Sequence, residues 1–195
     1  MDIPEKMAEL SKQAPVGQKN QTQGRAMPVR VMIHSKASVH EYFIPHWHDE
    51  MEILVMLSGT AVFHVGEHIH NVKAGEMVVI NNNEVHSTFA SREGGNDYII
   101  FFLNTNKESL RLALPPYVQS ALGGICYPNP LDYTKAPADQ IYGCVRAIFE
   151  ELSGAAFAHE LFVYSKIYEL IGALLRPGRW VAHQGGTTDP AEARR

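Results

Sequence analysis

Between residue 29 and about residue 103 the chain alternates short apolar runs with small clusters of turn residues. Runs of this length, rich in Val, Ile, Phe and Thr, mark strands rather than helices. They predict eight strands, over 29–34, 39–44, 51–57, 60–65, 68–72, 76–81, 86–90 and 97–103. Ser58-Gly59 and Gly66-Glu67 suit tight hairpins, and Gly94-Gly95 marks a looser turn. Eight short strands with close turns point to a mainly β protein, a sandwich or barrel. The run 51–57 is apolar on both faces, with Met51, Ile53, Val55 and Leu57 on one and Leu54 and Met56 beside Glu52 on the other. A strand with one wet face does not read this way. Helices or a second subunit have to cover its outer side.

The flanks read differently. Residues 1–28 are polar and broken by Pro4, Pro15, Gly17, Gly24 and Pro28, which predicts a flexible N-terminal arm ahead of a barrel at 29–104. Residues 105–137, with Pro115-Pro116, Gly123-Gly124, Pro128, Pro130 and Pro137, are expected to be an irregular connection. A helical pair is predicted over 138–177. Its first helix carries Ile141, Val145, Ile148 and Leu152 at spacings of four, three and four, and stops at Ser153-Gly154. The second runs from about 157 to 176 and ends at Pro177-Gly178. On it Leu161, Tyr164, Tyr168, Ile171 and Leu175 form a seam of about two heptads. The seam suits packing on the barrel and equally suits half of a homodimer contact. Residues 178–195 turn polar and read as a linker-like tail.

Composition narrows the field. A chain of 195 residues suits one domain with a substantial core. A formal net charge of −4 offers no basic field for nucleic acid. Cys126 and Cys144, with no CxxC pair, read as reduced thiols of a cytoplasmic protein. Asp2 and Glu5 argue against a signal peptide, and apolar stretches such as 98–103 are far too short to span a membrane.

The chemistry concentrates at His46, His48 and Glu52, answered later by His86. Positions 46, 48 and 52 share parity, so on one extended strand all three point to the same face. Such a cluster requires a metal, a polar ligand or mutual hydrogen bonds, because buried polar groups are rarely left unpaired. Three imidazoles and a carboxylate suit Mn²⁺, Fe²⁺, Ni²⁺, Cu²⁺ or Zn²⁺. They equally suit the hydroxyls or carboxylate of a small molecule. Glu50 shares the parity and is placed at the pocket mouth. Trp47 has the opposite parity and is expected to pack in the core beneath the helices. His70, on one face with His68 and Val72, is a candidate pocket wall; His64 precedes the Gly66 turn, and His159 and His183 read as solvated.

This pattern resembles the cupin superfamily: His-x-His-x-x-x-Glu and then Gly over residues 46–59, followed by Lys73-Ala74-Gly75-Glu76 and a closing His86. Asn81, Asn82 and Asn83 stand where cupins commonly carry Pro and Gly, a departure in the turn before His86. The order of polar arm, HWHDEMEILVMLSGTAVFHVGE, KAGEMVVINNNEVHS and two helices is similar to the N-terminal half of AraC-type transcriptional regulators. The resemblance implies a cupin-like jelly-roll β-barrel (a double-stranded β-helix) with two C-terminal α-helices packed on it. It implies a small-molecule effector in the barrel and a homodimer through the helices. In metal-dependent cupins the residues matching His46, His48, Glu52 and His86 are ligands. The alternative function is therefore a stand-alone metal-dependent enzyme, an oxygenase or isomerase on a small polar substrate; no catalytic residue is assigned. Residues 141–176 do not read as a DNA-recognition unit, since the second helix offers only His159 and Lys166 among acidic and apolar neighbours. DNA binding is not expected of this chain alone, which would be a fragment of a longer regulator or a stand-alone barrel.

Overall fold

A computed structural model describes residues 27–37, 42–90, 96–176 and 181–182. The arm before residue 27, the Gly94-Gly95 turn, the Pro177-Gly178 helix end and the tail with His183 lie outside them. The strands are β1 (Val29–Ala37), β2 (Tyr42–His46), β3 (Met51–Ser58), β4 (Thr60–Val65), β5 (His68–Lys73), β6 (Glu76–Ile80), β7 (His86–Ala90) and β8 (Asn96–Leu103). They form two antiparallel sheets, ordered β1-β8-β3-β6 and β2-β7-β4-β5. This is the strand order of an eight-stranded jelly roll. A short β10 (Leu131–Asp132) extends the first sheet beside β6, and β9 (Ile125–Cys126) pairs with β11 (Val181–Ala182). Among the described residues the two sheets stay separate rather than closing into one continuous barrel.

The double-sided apolar pattern of β3 has a direct cause. Met51, Ile53 and Val55 point outward into a core shared with the helices, while Leu54 and Met56 point inward, toward the second sheet. The outer cover is α3 (Ala138–Gly154) and α4 (His159–Leu175), which bury Ile141, Val145, Ile148, Val163, Ile167 and Leu170 against that sheet. Each such side chain contributes roughly 1.5–3 kcal/mol relative to exposure.

Three expectations need correction. Ser58-Gly59 is not a hairpin, because β3 and β4 belong to different sheets and the turn is a corner between them. There Gly59 takes φ +74, and the Asn96 amide oxygen occupies the place of a Cβ while accepting the Thr60 N–H at 3.0 Å. Gly66-Glu67 is the two-residue hairpin, with Val65 paired to His68. The stretch 105–137 is not wholly irregular: it folds into α1 (Glu108–Ala113) and α2 (Pro116–Leu122), anchored by buried Leu110 and Leu122. Pro116 at the first helical position was the available signal, since its missing N–H costs nothing there. Finally, the α4 seam divides. Ile171 is buried in the chain's own core and Tyr164 is half-buried, its hydroxyl on Ser109 at 3.1 Å, whereas Leu161 and Tyr168 face solvent and Leu175 is intermediate. The wider buried stripe of Val163, Ile167, Leu170 and Leu174 is the one the sheet takes.

Candidate functional site

The cluster forms at a corner of the jelly roll. In the four-stranded sheet His46 pairs across with His86, and His86 with Val65, so both imidazoles share its inner face. In the five-stranded sheet Arg30, Phe102, Glu52 and Ile80 form one cross-strand row on the opposing inner face. His48 lies between, in the segment that carries the chain from one sheet to the other. The three histidines and Glu52 therefore converge across two sheets, not along one strand face as the parity argument had it. Trp47 corrects the same argument: it lies past the end of β2, where alternation no longer applies, and is 65% exposed instead of packed beneath the helices.

The ring orientations are set by the backbone. His46 Nδ1 donates to the Ile44 carbonyl at 2.9 Å, His48 Nδ1 to the Glu50 carbonyl at 2.9 Å, and His86 Nδ1 to the Glu84 carbonyl at 2.8 Å. A carbonyl only accepts, so each Nδ1 carries its proton and each Nε2 of a neutral ring is left as an acceptor. His48 Nε2 lies 3.2 Å and His86 Nε2 3.3 Å from the same oxygen, Glu52 Oε2. One ring nitrogen from each of His46, His48 and His86 falls within 4.8 Å of the others. Lone pairs facing a carboxylate repel unless a proton or a cation lies among them.

Burial pushes the Glu52 carboxyl up, but hydrogen bonds from His48 and then His86, with their charges, outweigh it and hold the group at about 2. For His86 burial works downward, and the hydrogen bond and charge of Glu52 overcome it, raising the imidazole above its ordinary value. The donor set fits a divalent transition metal: His46, His48 and His86 would hold it, with the Glu52 carboxylate beside His48 and His86. Backbone carbonyls behind the ligating rings are the usual outer support of such sites.

The other candidates fall outside this group. Glu50 is not among the converging ligand atoms; Arg30 clamps its carboxylate, Nε at 3.0 and 3.1 Å and Nη2 at 2.5 Å. His70 sits on the inner row beside Phe63, half-buried, its pKa lowered by burial and then by His68, and it is not among the converging groups. His64 packs near Phe89, ring centroids 5.0 Å apart. Sequence reasoning missed Arg30 and Phe102. The guanidinium stands 3.4 Å over the Phe102 ring, whose centroid is 5.4 Å from that of His48. A lone arginine inside the apolar run of β1 was the signal.

Residues 28–171 match the family of AraC-like ligand binding domains. The chain belongs to this family. Over 69 residues it is 30% identical to YdeC, an uncharacterised HTH-type transcriptional regulator of Bacillus subtilis (strain 168); the match covers 35% of this chain and 23% of that regulator. Similar solved structures include a cupin protein from Bacteroides fragilis, at 16% identity and TM-score 0.38 over 46% of this chain and 80% of that one. A mutant of Bacillus subtilis oxalate decarboxylase OxdC is similar at 20% identity and TM-score 0.37, over 50% of this chain and 28% of that one. Within this AraC-like ligand binding domain no described helix is long and apolar enough to cross a membrane. Cys126 and Cys144 are free thiols.

Proposed function

We propose that this chain is the sensing and dimerisation part of a cytoplasmic AraC-type transcription regulator. A small-molecule effector binds between the two sheets, at a divalent metal held by His46, His48 and His86 beside Glu52. The convergence of three imidazole nitrogens within 4.8 Å of one another, with a buried carboxylate against two of those rings, inside a ligand-binding-domain fold, carries this reading. Such a metal would offer open coordination positions to an oxygen or nitrogen of the effector. Effector binding then shifts which arrangement of the dimer is favoured, as differential affinity requires. The same donor set would serve a metal-dependent enzyme; family membership favours the sensor. No DNA contact is proposed for the residues of this chain.

Metal content tests it first. Protein purified without a metal-affinity step is expected to carry, or take up, close to one Mn²⁺, Fe²⁺, Ni²⁺, Cu²⁺ or Zn²⁺ per chain, and His48→Ala to carry none. Uptake is expected to strengthen as pH rises through the raised His86 value, because metal and proton compete for Nε2. A folded protein that refuses all five ions removes the metal and leaves a hydrogen-bonding effector pocket.

The dimer face proposed is the exposed stripe of α4, Leu161, Ser165 and Tyr168, with Phe162 beside it. Leu161→Asp combined with Tyr168→Asp is expected to turn a dimer into a monomer in sedimentation velocity, with an unchanged circular dichroism spectrum. A dimer that survives both charges rules this face out. Ile171→Asp is no test, since a charge at a position 3% exposed unfolds the core.

A further inference from the structure

Two chain crossings lie side by side at the site. Residues 47–50 carry the chain from β2 in one sheet to β3 in the other, and residues 81–85 carry it back from β6 to β7. Neither segment belongs to a strand ladder, so ladder hydrogen bonds do not fix them, yet His48 lies in the first and His86 follows the second.

Other contacts hold them instead. Asn83 N–H donates to the His48 carbonyl at 2.7 Å, and Asn82 Nδ2 donates to the Asp49 carbonyl at 2.7 Å. Arg30 grips the Glu50 carboxylate through two nitrogens. Every residue from 48 to 50 is thus pinned by a group outside its own segment. The pin at Glu50 acts on the site, because the Glu50 carbonyl is what takes the His48 Nδ1 proton. The turn at 81–84 sets the second ring as well. Glu84, whose carboxylate accepts the Asn81 N–H at 3.1 Å, presents its carbonyl to His86 Nδ1. The turn is anchored in its own right. Asn82 Nδ2 also donates to Thr105 Oγ1 at 2.8 Å, and Asn81 Nδ2 donates to the Ile125 carbonyl of β9 at 2.8 Å. Asn83 adopts φ +61, a left-handed conformation that asparagine tolerates better than most residues. The run Asn81, Asn82, Asn83, which departs from the Pro and Gly common in cupins, therefore has a mechanical use.

We propose that the 81–84 turn, with Arg30, is the positioning element of the site. It fixes the tautomer and direction of the His48 and His86 rings without touching the bound species. The consequence for affinity rests on the metal reading above; the consequence for the rings does not. Ring ¹⁵N spectra of the metal-free full chain at pH 8, followed by titration with Zn²⁺ alone, separate the two. In the wild type His48 is expected to be wholly Nδ1-protonated. In Asn82→Ala, and separately in Arg30→Gln, His48 becomes a mixture of tautomers while His64 is unchanged, and Zn²⁺ affinity falls roughly 10- to 100-fold. Tautomers that shift in a chain taking no zinc sustain the positioning role and remove the metal. Folded variants in which His48 keeps the wild-type tautomer overturn the proposal, whatever their zinc affinity. Should Asn82→Ala fail to fold, Arg30→Gln carries the test, since Arg30 lies on a different strand.

Discussion

His86→Ala is expected to abolish metal uptake and to cost about 3 kcal/mol of stability together. The loss of uptake exceeds the roughly 10- to 100-fold that follows from removing an outer support, because a ligand itself is gone. The stability cost comes from Glu52. Its side chain is 6% exposed, and its charge is tolerated because His48 and His86 both face Oε2. Removing one partner of a buried pair leaves the other charge underpaid and costs about 3–5 kcal/mol; His48 remains, so the lower end applies. The pH dependence has a definite sign. Glu52 is depressed from 4.5 to about 2, so its contribution is present above 4.5 and lost as pH falls toward 2. His86 is raised above 6.5, so its contribution is complete below 6.5 and lost as pH rises through the raised value. The difference between wild type and His86→Ala in urea unfolding is thus expected to be widest between pH 4.5 and 6.5 and to shrink on either side. A variant with wild-type zinc affinity, or a gap that widens toward pH 3, is incompatible with this account.

Phe101→Ala is expected to cost about 3–5 kcal/mol, a large share of the roughly 5–15 kcal/mol that holds a domain folded. Phe101 is fully buried at the middle of β8, paired with Val31 on one side and Ile53 on the other, in the core beneath the helices. The helices pack over that layer, so truncation leaves a cavity that neither sheet nor helices can close without moving several neighbours. Trp47→Ala, the larger deletion by volume, is expected to change stability by less than about 0.5 kcal/mol because the ring is mostly solvated. Urea midpoints of the two variants decide the matter. If Trp47→Ala were the more damaging, the crossing at 47–50 would have to be packed quite differently.

Much of the fold was legible in the chain. Eight strands with nearly these limits follow from apolar runs and turn residues, and the need for a cover over β3 follows from its apolar outer positions. Those signals are local: a run of Val and Ile reads as a strand wherever it packs. The short helices at 108–122 were hidden by proline and glycine, which mark both loops and helix starts. The division of the α4 seam was hidden because a heptad pattern and a core stripe of period 3.6 overlap over two turns.

The sequence by itself determined the residue types of the site, His46, His48, Glu52 and His86, and the family pattern that groups them. It did so because metal-ligating side chains at regular offsets are scarce in an apolar strand. Only the tertiary structure decided how they meet. Parity along one strand predicted convergence for the wrong reason, and it sent Trp47 to the core. The chain changes sheets between His46 and Glu52, so the four side chains meet across the gap between two inner faces. Arg30 on β1 reaches Glu50 from 20 residues away, and Asn82 in the 81–84 turn reaches Asp49 from 33. No local pattern encodes such contacts, since hydrogen bonds between distant segments exist only once both sheets are stacked.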